Sequence, residues 1–69
     1  MMRQIKRDEG IKLADGRSAI LSAVELPGGK FEVMLLTKDA AADEIRSAQC
    51  ETEKVALLIF NEMRDQYHV

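Results

Sequence analysis

The clearest pattern in this chain is a pair of alternating apolar and polar segments joined by a proline and two glycines. Ser18–Leu26 and Lys30–Thr37 both place apolar side chains at every second position, which is typical of β-strands. Between them, Pro27 cannot donate a hydrogen bond to a sheet, and Gly28 and Gly29 tolerate the positive φ of a tight turn. The pattern therefore predicts an antiparallel hairpin.

A second hairpin is indicated nearer the amino terminus. Met2–Arg7 is compatible with a strand that ends at the polar residues 8–10, and Ile11–Leu13 then resumes the alternation. The Asp15-Gly16 pair that follows favours a two-residue type I′ turn, because aspartate and glycine tolerate positive φ. The Asp-Gly turn therefore predicts a hairpin between the amino-terminal segment and Ser18–Leu26.

Residues 38–51 allow two interpretations. One is a short helix capped by Asp39, and the other is a loop over Lys38–Asp43 followed by a strand over Glu44–Cys50. We favour the strand, because it would pair with the otherwise bare edge of Lys30–Thr37 and because a helix here would bury little. The thin apolar stripe of such a helix would be Ala41, Ile45 and Ala48.

The carboxy-terminal pattern is helical. Thr52 is a suitable N-cap, Glu53 is favourable in the first turn, and Val55–Tyr67 has helical periodicity. Leu57 and Leu58 lie on the two flanks of the stripe that this periodicity assigns to the core. The residues of that stripe are Val55, Ala56, Ile59, Phe60, Met63 and Tyr67.

Together these elements predict one α+β domain over residues 1–69, with an antiparallel β-meander of three to four strands and one C-terminal α-helix packed on one face. The composition, 46% hydrophobic and 32% charged, is that of a globular domain. No apolar run is long enough to span a bilayer, and residues 1–10 do not resemble a signal peptide. A single cysteine, Cys50, allows no internal disulfide, so we expect a cytoplasmic protein.

The sequence offers little catalytic chemistry. His68 is next to the terminus, where orienting a general base is difficult, and Cys50 has no second cysteine at metal-ligand spacing. A small buried hydrophobe is the expected role of Cys50, although its position just before a helix could also make the thiol reactive. We therefore expect no enzyme activity, no cofactor, no metal and no catalytic residues.

Charge gives a secondary hypothesis. The chain has a net charge of −2 and a pI near 5.3, whereas dedicated nucleic-acid-binding domains are usually basic. Basic residues nevertheless concentrate in the amino-terminal half, and weak nucleic-acid binding through them is the alternative function. The possible contacts are Arg3, Lys6, Arg7, Lys12 and Arg17.

The main hypothesis rests on packing. One helix can cover only one face of the sheet, yet both faces of the predicted hairpin are apolar. The uncovered side marks an interaction surface, unless the amino-terminal strand folds over it or residues 38–51 form a covering helix. We therefore expect a non-enzymatic interaction module that acts as a homodimer or as an accessory subunit of an unidentified protein. The predicted surface consists of Leu21, Met34, Leu36, Leu57 and Leu58.

Overall fold

Four strands precede one helix in the computed structural model, which describes residues 2–39 and 43–67. The strands form one antiparallel sheet in the order β1-β2-β3-β4, and the helix packs on one face. The predicted α+β class is confirmed, and the strand interpretation of residues 44–50 is correct. The elements are β1 (Arg3–Lys12), β2 (Ser18–Glu25), β3 (Phe31–Thr37), β4 (Glu44–Cys50) and α1 (Glu53–Tyr67).

Three-residue loops close both tight hairpins. The backbone N–H of Leu13 donates to the carbonyl of Arg17 (2.8 Å), and Gly16, with a φ of 92°, ends the loop. The predicted hairpin is confirmed, but the two-residue type I′ turn is not formed, because a glycine in the left-handed region closes a three-residue loop instead. In the second hairpin, the N–H of Leu26 donates to the carbonyl of Lys30 (2.7 Å).

Strand β1 is longer and less regular than expected. Asp8 pairs with Leu21 and Ile11 pairs with Ala19, so one extra residue is accommodated in β1 at this point. The carboxylate of Asp8 accepts a hydrogen bond from the N–H of Gly10 (2.8 Å), which satisfies a backbone donor inside the irregularity. The prediction that residues 8–10 end the strand was therefore wrong, because they form a bulge within it.

The core lies between α1 and one face of the sheet. Leu21 lies opposite Leu35, and Ala23 lies opposite Val33, so these side chains share the helix-covered face. Leu21 is 0% exposed. The predicted grouping of Leu21 with Met34 and Leu36 was therefore wrong. The hairpin loop sets a register that turns the Leu21 row towards α1, and a shift of one residue would have reversed it.

Helix α1 begins as predicted. The hydroxyl of Thr52 accepts a hydrogen bond from the N–H of Val55 (3.2 Å), which satisfies one of the unpaired donors of the first turn. The helix buries Ala56, Phe60 and Met63. Val55, which was predicted to belong to the buried stripe, is 42% exposed, because it lies about 100° around the helix from Ala56.

Candidate interaction surface

The sheet face opposite α1, called the open face below, has no other described element packed over it. Strand β1 pairs at the edge of the sheet and β4 extends the opposite side, so neither folds over this face within residues 2–39 and 43–67. The pairs Ile20–Leu36, Ser22–Met34 and Val24–Glu32 place its central side chains together. The open face is thus centred on Ile20, Ser22, Val24, Met34 and Leu36.

Side chains on the open face partly shield one another. Val24 is only 5% exposed and Ser22 only 7%, while Ile20, Met34 and Leu36 are half-buried. The amide of Gln4 covers part of this centre, since its Nε2 donates to the hydroxyl of Ser22 (2.9 Å). Less apolar area therefore meets water than the alternation alone suggested.

Charged side chains flank this apolar centre on its β1 and β4 sides. Arg7 pairs in register with Ser22 and Lys12 with Ser18, which places both at the β1 side of the open face. Glu44 pairs with Leu36, so its carboxylate lies on the same face at the β4 side. A polar rim around a partly shielded apolar centre is the usual anatomy of a protein-binding surface.

The five residues of the predicted surface lie in three different places. Leu21 is in the core, and Met34 and Leu36 are on the open face. Leu57 is half-buried and Leu58 is 55% exposed, and both belong to α1 in the other layer. Sequence reasoning also missed that Ile20 and Val24 share the open face with Met34, although their alternation within β2 was visible.

The predicted nucleic-acid contacts are also separated. An Arg3 nitrogen lies 2.7 Å from Glu25 and 3.2 Å from Glu53. The hydrogen bond to Glu25, and next in size the one to Glu53, raise the pKa of Arg3. The Lys6 ammonium lies 5.1 Å from the ring centre of Phe60, on the helix side.

The remaining three predicted contacts are on the open face or in a turn. Arg17 pairs with Asp15 at 2.7 Å within the first hairpin loop. Arg7 lies 3.3 Å from Glu9, and only Lys12 accompanies it on the open face. The five basic residues therefore do not form one patch.

Groups with catalytic potential remain dispersed. Among residues 2–39 and 43–67, no cluster of three or more His, Cys, Asp or Glu side chains could hold a metal ion. Cys50 is half-buried at the core margin, and its thiol lies 3.6 Å from the carbonyl oxygen of Thr52. His68 lies outside the described residues.

Comparison with known proteins identified no relative of this chain. No family model matches the chain, and no curated protein or solved structure gives a significant match. Within the part of the chain that the structure describes, no helix is both long and apolar enough to cross a bilayer. The fold is a small α+β meander. Its surfaces are the remaining guide to its function.

Proposed function

We propose that this protein is a small non-enzymatic interaction module that associates with a second copy of itself through the open face. The observation that carries this proposal is that Ile20, Met34 and Leu36 lie together on a face that no described element covers. Two such faces can pack as a sandwich about 10 Å thick, with the apolar centres in contact.

A second copy suits the open face for two reasons. Arg7 and Lys12 line the β1 side and Glu44 lies on the β4 side, so the face carries both charge signs and is not self-repelling as a whole. A twofold contact also uses the same patch twice, which is the commonest arrangement in protein oligomers.

The size of the face indicates weak association. Four strands about 4.8 Å apart, with seven residues at about 3.4 Å each in β3, give an area of about 450 Å² per copy. Stable interfaces bury roughly 800 Å² per partner, so we expect a dissociation constant of about micromolar or weaker. An accessory role with a different protein is the outcome if self-association fails.

A matched pair of variants tests this proposal. Met34→Lys with Leu36→Lys puts charges at the centre of the open face, whereas Leu58→Lys puts one on the exposed outer side of α1. Light scattering across a dilution series should show a lower average mass for the double variant and no change for Leu58→Lys. Equal masses for wild type and the double variant would contradict an open-face contact, and a loss caused by Leu58→Lys would assign the contact to α1.

We propose weak nucleic-acid binding as a second candidate, supported by the position of Arg7 and Lys12 on the same face. Binding through phosphates should weaken steeply with salt. A gel shift at low salt should be lost in Arg7→Ala/Lys12→Ala and kept in Arg3→Ala/Lys6→Ala, since Arg3 and Lys6 engage other groups. No shift by wild type at low salt would eliminate this candidate.

A further inference from the structure

The two edges of the sheet differ in their capacity to accept another strand. The β1 edge carries two irregularities, between Gln4 and Lys6 and between Asp8 and Ile11. Six of its ten residues are charged. Bulges and charged side chains are the usual protection of an edge strand against pairing.

The β4 edge has less of this protection. Its sequence, EIRSAQC, contains neither proline nor lysine, and its pairing with β3 is irregular only between Leu35 and Leu36. From Arg46 to Cys50 the strand is regular, and no other described strand pairs with its outer side. Successive residues of a strand point their backbone groups to opposite sides, so every second residue of this segment presents an unpaired N–H and C=O at the edge.

A partly apolar flank of α1 accompanies this edge. Arg46 donates a hydrogen bond to Gln66 (3.1 Å), which shows that the flank of α1 bearing Gln66 lies beside β4. Val55 and Ile59 lie within about 20° of Gln66 around the helix axis, so they share this flank. Ala48 is half-buried on the helix-covered side of the sheet, where it packs against the core.

The opposite flank of α1 carries more charged side chains. Glu53 lies 3.2 Å from Arg3 of β1, and Lys6 and Arg64 both lie over the ring of Phe60. The β1 side thus combines an irregular, highly charged edge with a more charged flank of α1, and the β4 side combines a more regular edge with a less charged flank. Both differences favour the same side for contact.

We infer that β4 pairs antiparallel with β4 of a second copy, as a contact separate from the open face. The register centred on Ala48 uses the whole regular segment: Arg46 lies opposite Cys50 of the other copy, and Ser47 opposite Gln49. Each pair shares one side of the sheet, and no like charges are opposed. A β4–β1 contact would instead meet the bulged edge and repeat without closing.

The register gives a test by charge. Ser47 and Gln49 are exposed, so replacing them should leave the fold intact. Ser47→Lys/Gln49→Lys would oppose two lysines at both symmetric positions, whereas Ser47→Glu/Gln49→Lys would oppose a glutamate and a lysine. Both variants are made in an Ile20→Lys background, which charges the centre of the open face and leaves Met34, the cross-strand neighbour of Ser47, unchanged.

We expect the background protein to retain a concentration-dependent two-copy mass by sedimentation equilibrium. The lysine–lysine variant should associate at least about tenfold more weakly, and the glutamate–lysine variant as strongly as the background or more so. Equal dissociation constants for the two variants would contradict the proposed register and the β4–β4 contact. So would a single-chain mass for the background protein when wild type associates.

The two proposals fail in different ways. If Met34→Lys/Leu36→Lys leaves the wild-type mass unchanged while the lysine–lysine pair lowers it, the open-face proposal fails and the β4 contact stands. If both contacts form, wild type should exceed the mass of two chains at high concentration, and disrupting either surface should lower it.

Discussion

Shortening Leu21 to alanine tests the register that separates the core from the open face. Leu21 is 0% exposed and faces Leu35 beneath α1, so its truncation leaves a cavity that neighbouring groups fill only partly. Such changes cost about 3 kcal/mol, against a total of about 3–10 kcal/mol for a chain of this length. Leu36→Ala, on the half-buried open face, should cost only about 1 kcal/mol.

Urea unfolding followed by circular dichroism, at concentrations too low for association, would measure both variants. With a slope near 1 kcal/mol per molar urea, the midpoint should fall by about 3 M for Leu21→Ala and about 1 M for Leu36→Ala. Complete unfolding of Leu21→Ala in buffer would agree with the same reasoning. Equal shifts, or a larger shift for Leu36→Ala, would refute the assignment of Leu21 to the core.

Two local contacts give further expectations. Thr52→Ala should lose about 1 kcal/mol of stability, measured by thermal unfolding, because the N–H of Val55 loses its hydrogen-bond acceptor. Thr52→Ser keeps a hydroxyl and should retain most of the wild-type stability. Equal losses in the two variants would contradict the capping role. The pKa of Asp15 is lowered mainly by a hydrogen bond from the backbone N–H of Arg17 and next by one from its side chain. The stability that the Asp15 carboxylate contributes is therefore present above its unfolded-state pKa, and it is lost as the pH falls through the lower folded-state pKa. Asp15→Asn should therefore flatten the acid end of the stability–pH curve, and an unchanged curve would show that this contact does not contribute.

Local signals were sufficient to predict most elements. The alternation in Ser18–Leu26 and the Pro-Gly-Gly turn predicted a hairpin, and Thr52 predicted the helix start. These features depend on neighbouring residues, so the sequence displays them directly. The favoured strand over Glu44–Cys50 was also correct, because the exposed edge of β3 required a partner.

Features that depend on three-dimensional register could not be predicted in this way. Leu21 was assigned to the wrong face because alternation defines two rows within a strand but not which row joins which in the next strand. The placement of Arg3 and Arg7 on opposite faces of the sheet could not be predicted for a related reason. Arg3 meets Glu25 across the strand pair and Glu53 from α1, contacts that only the folded chain creates.

The most direct test of the central claim is the average mass of wild type and of Met34→Lys/Leu36→Lys between about 1 µM and about 500 µM, a range that spans the expected dissociation constant. The account predicts that the wild-type mass rises above that of one 7.8 kDa chain as concentration increases, and that the double variant lies below it at every concentration where association occurs. A wild-type mass of one chain throughout, or coincident curves for the two proteins, would contradict the claim that the open face is the contact surface.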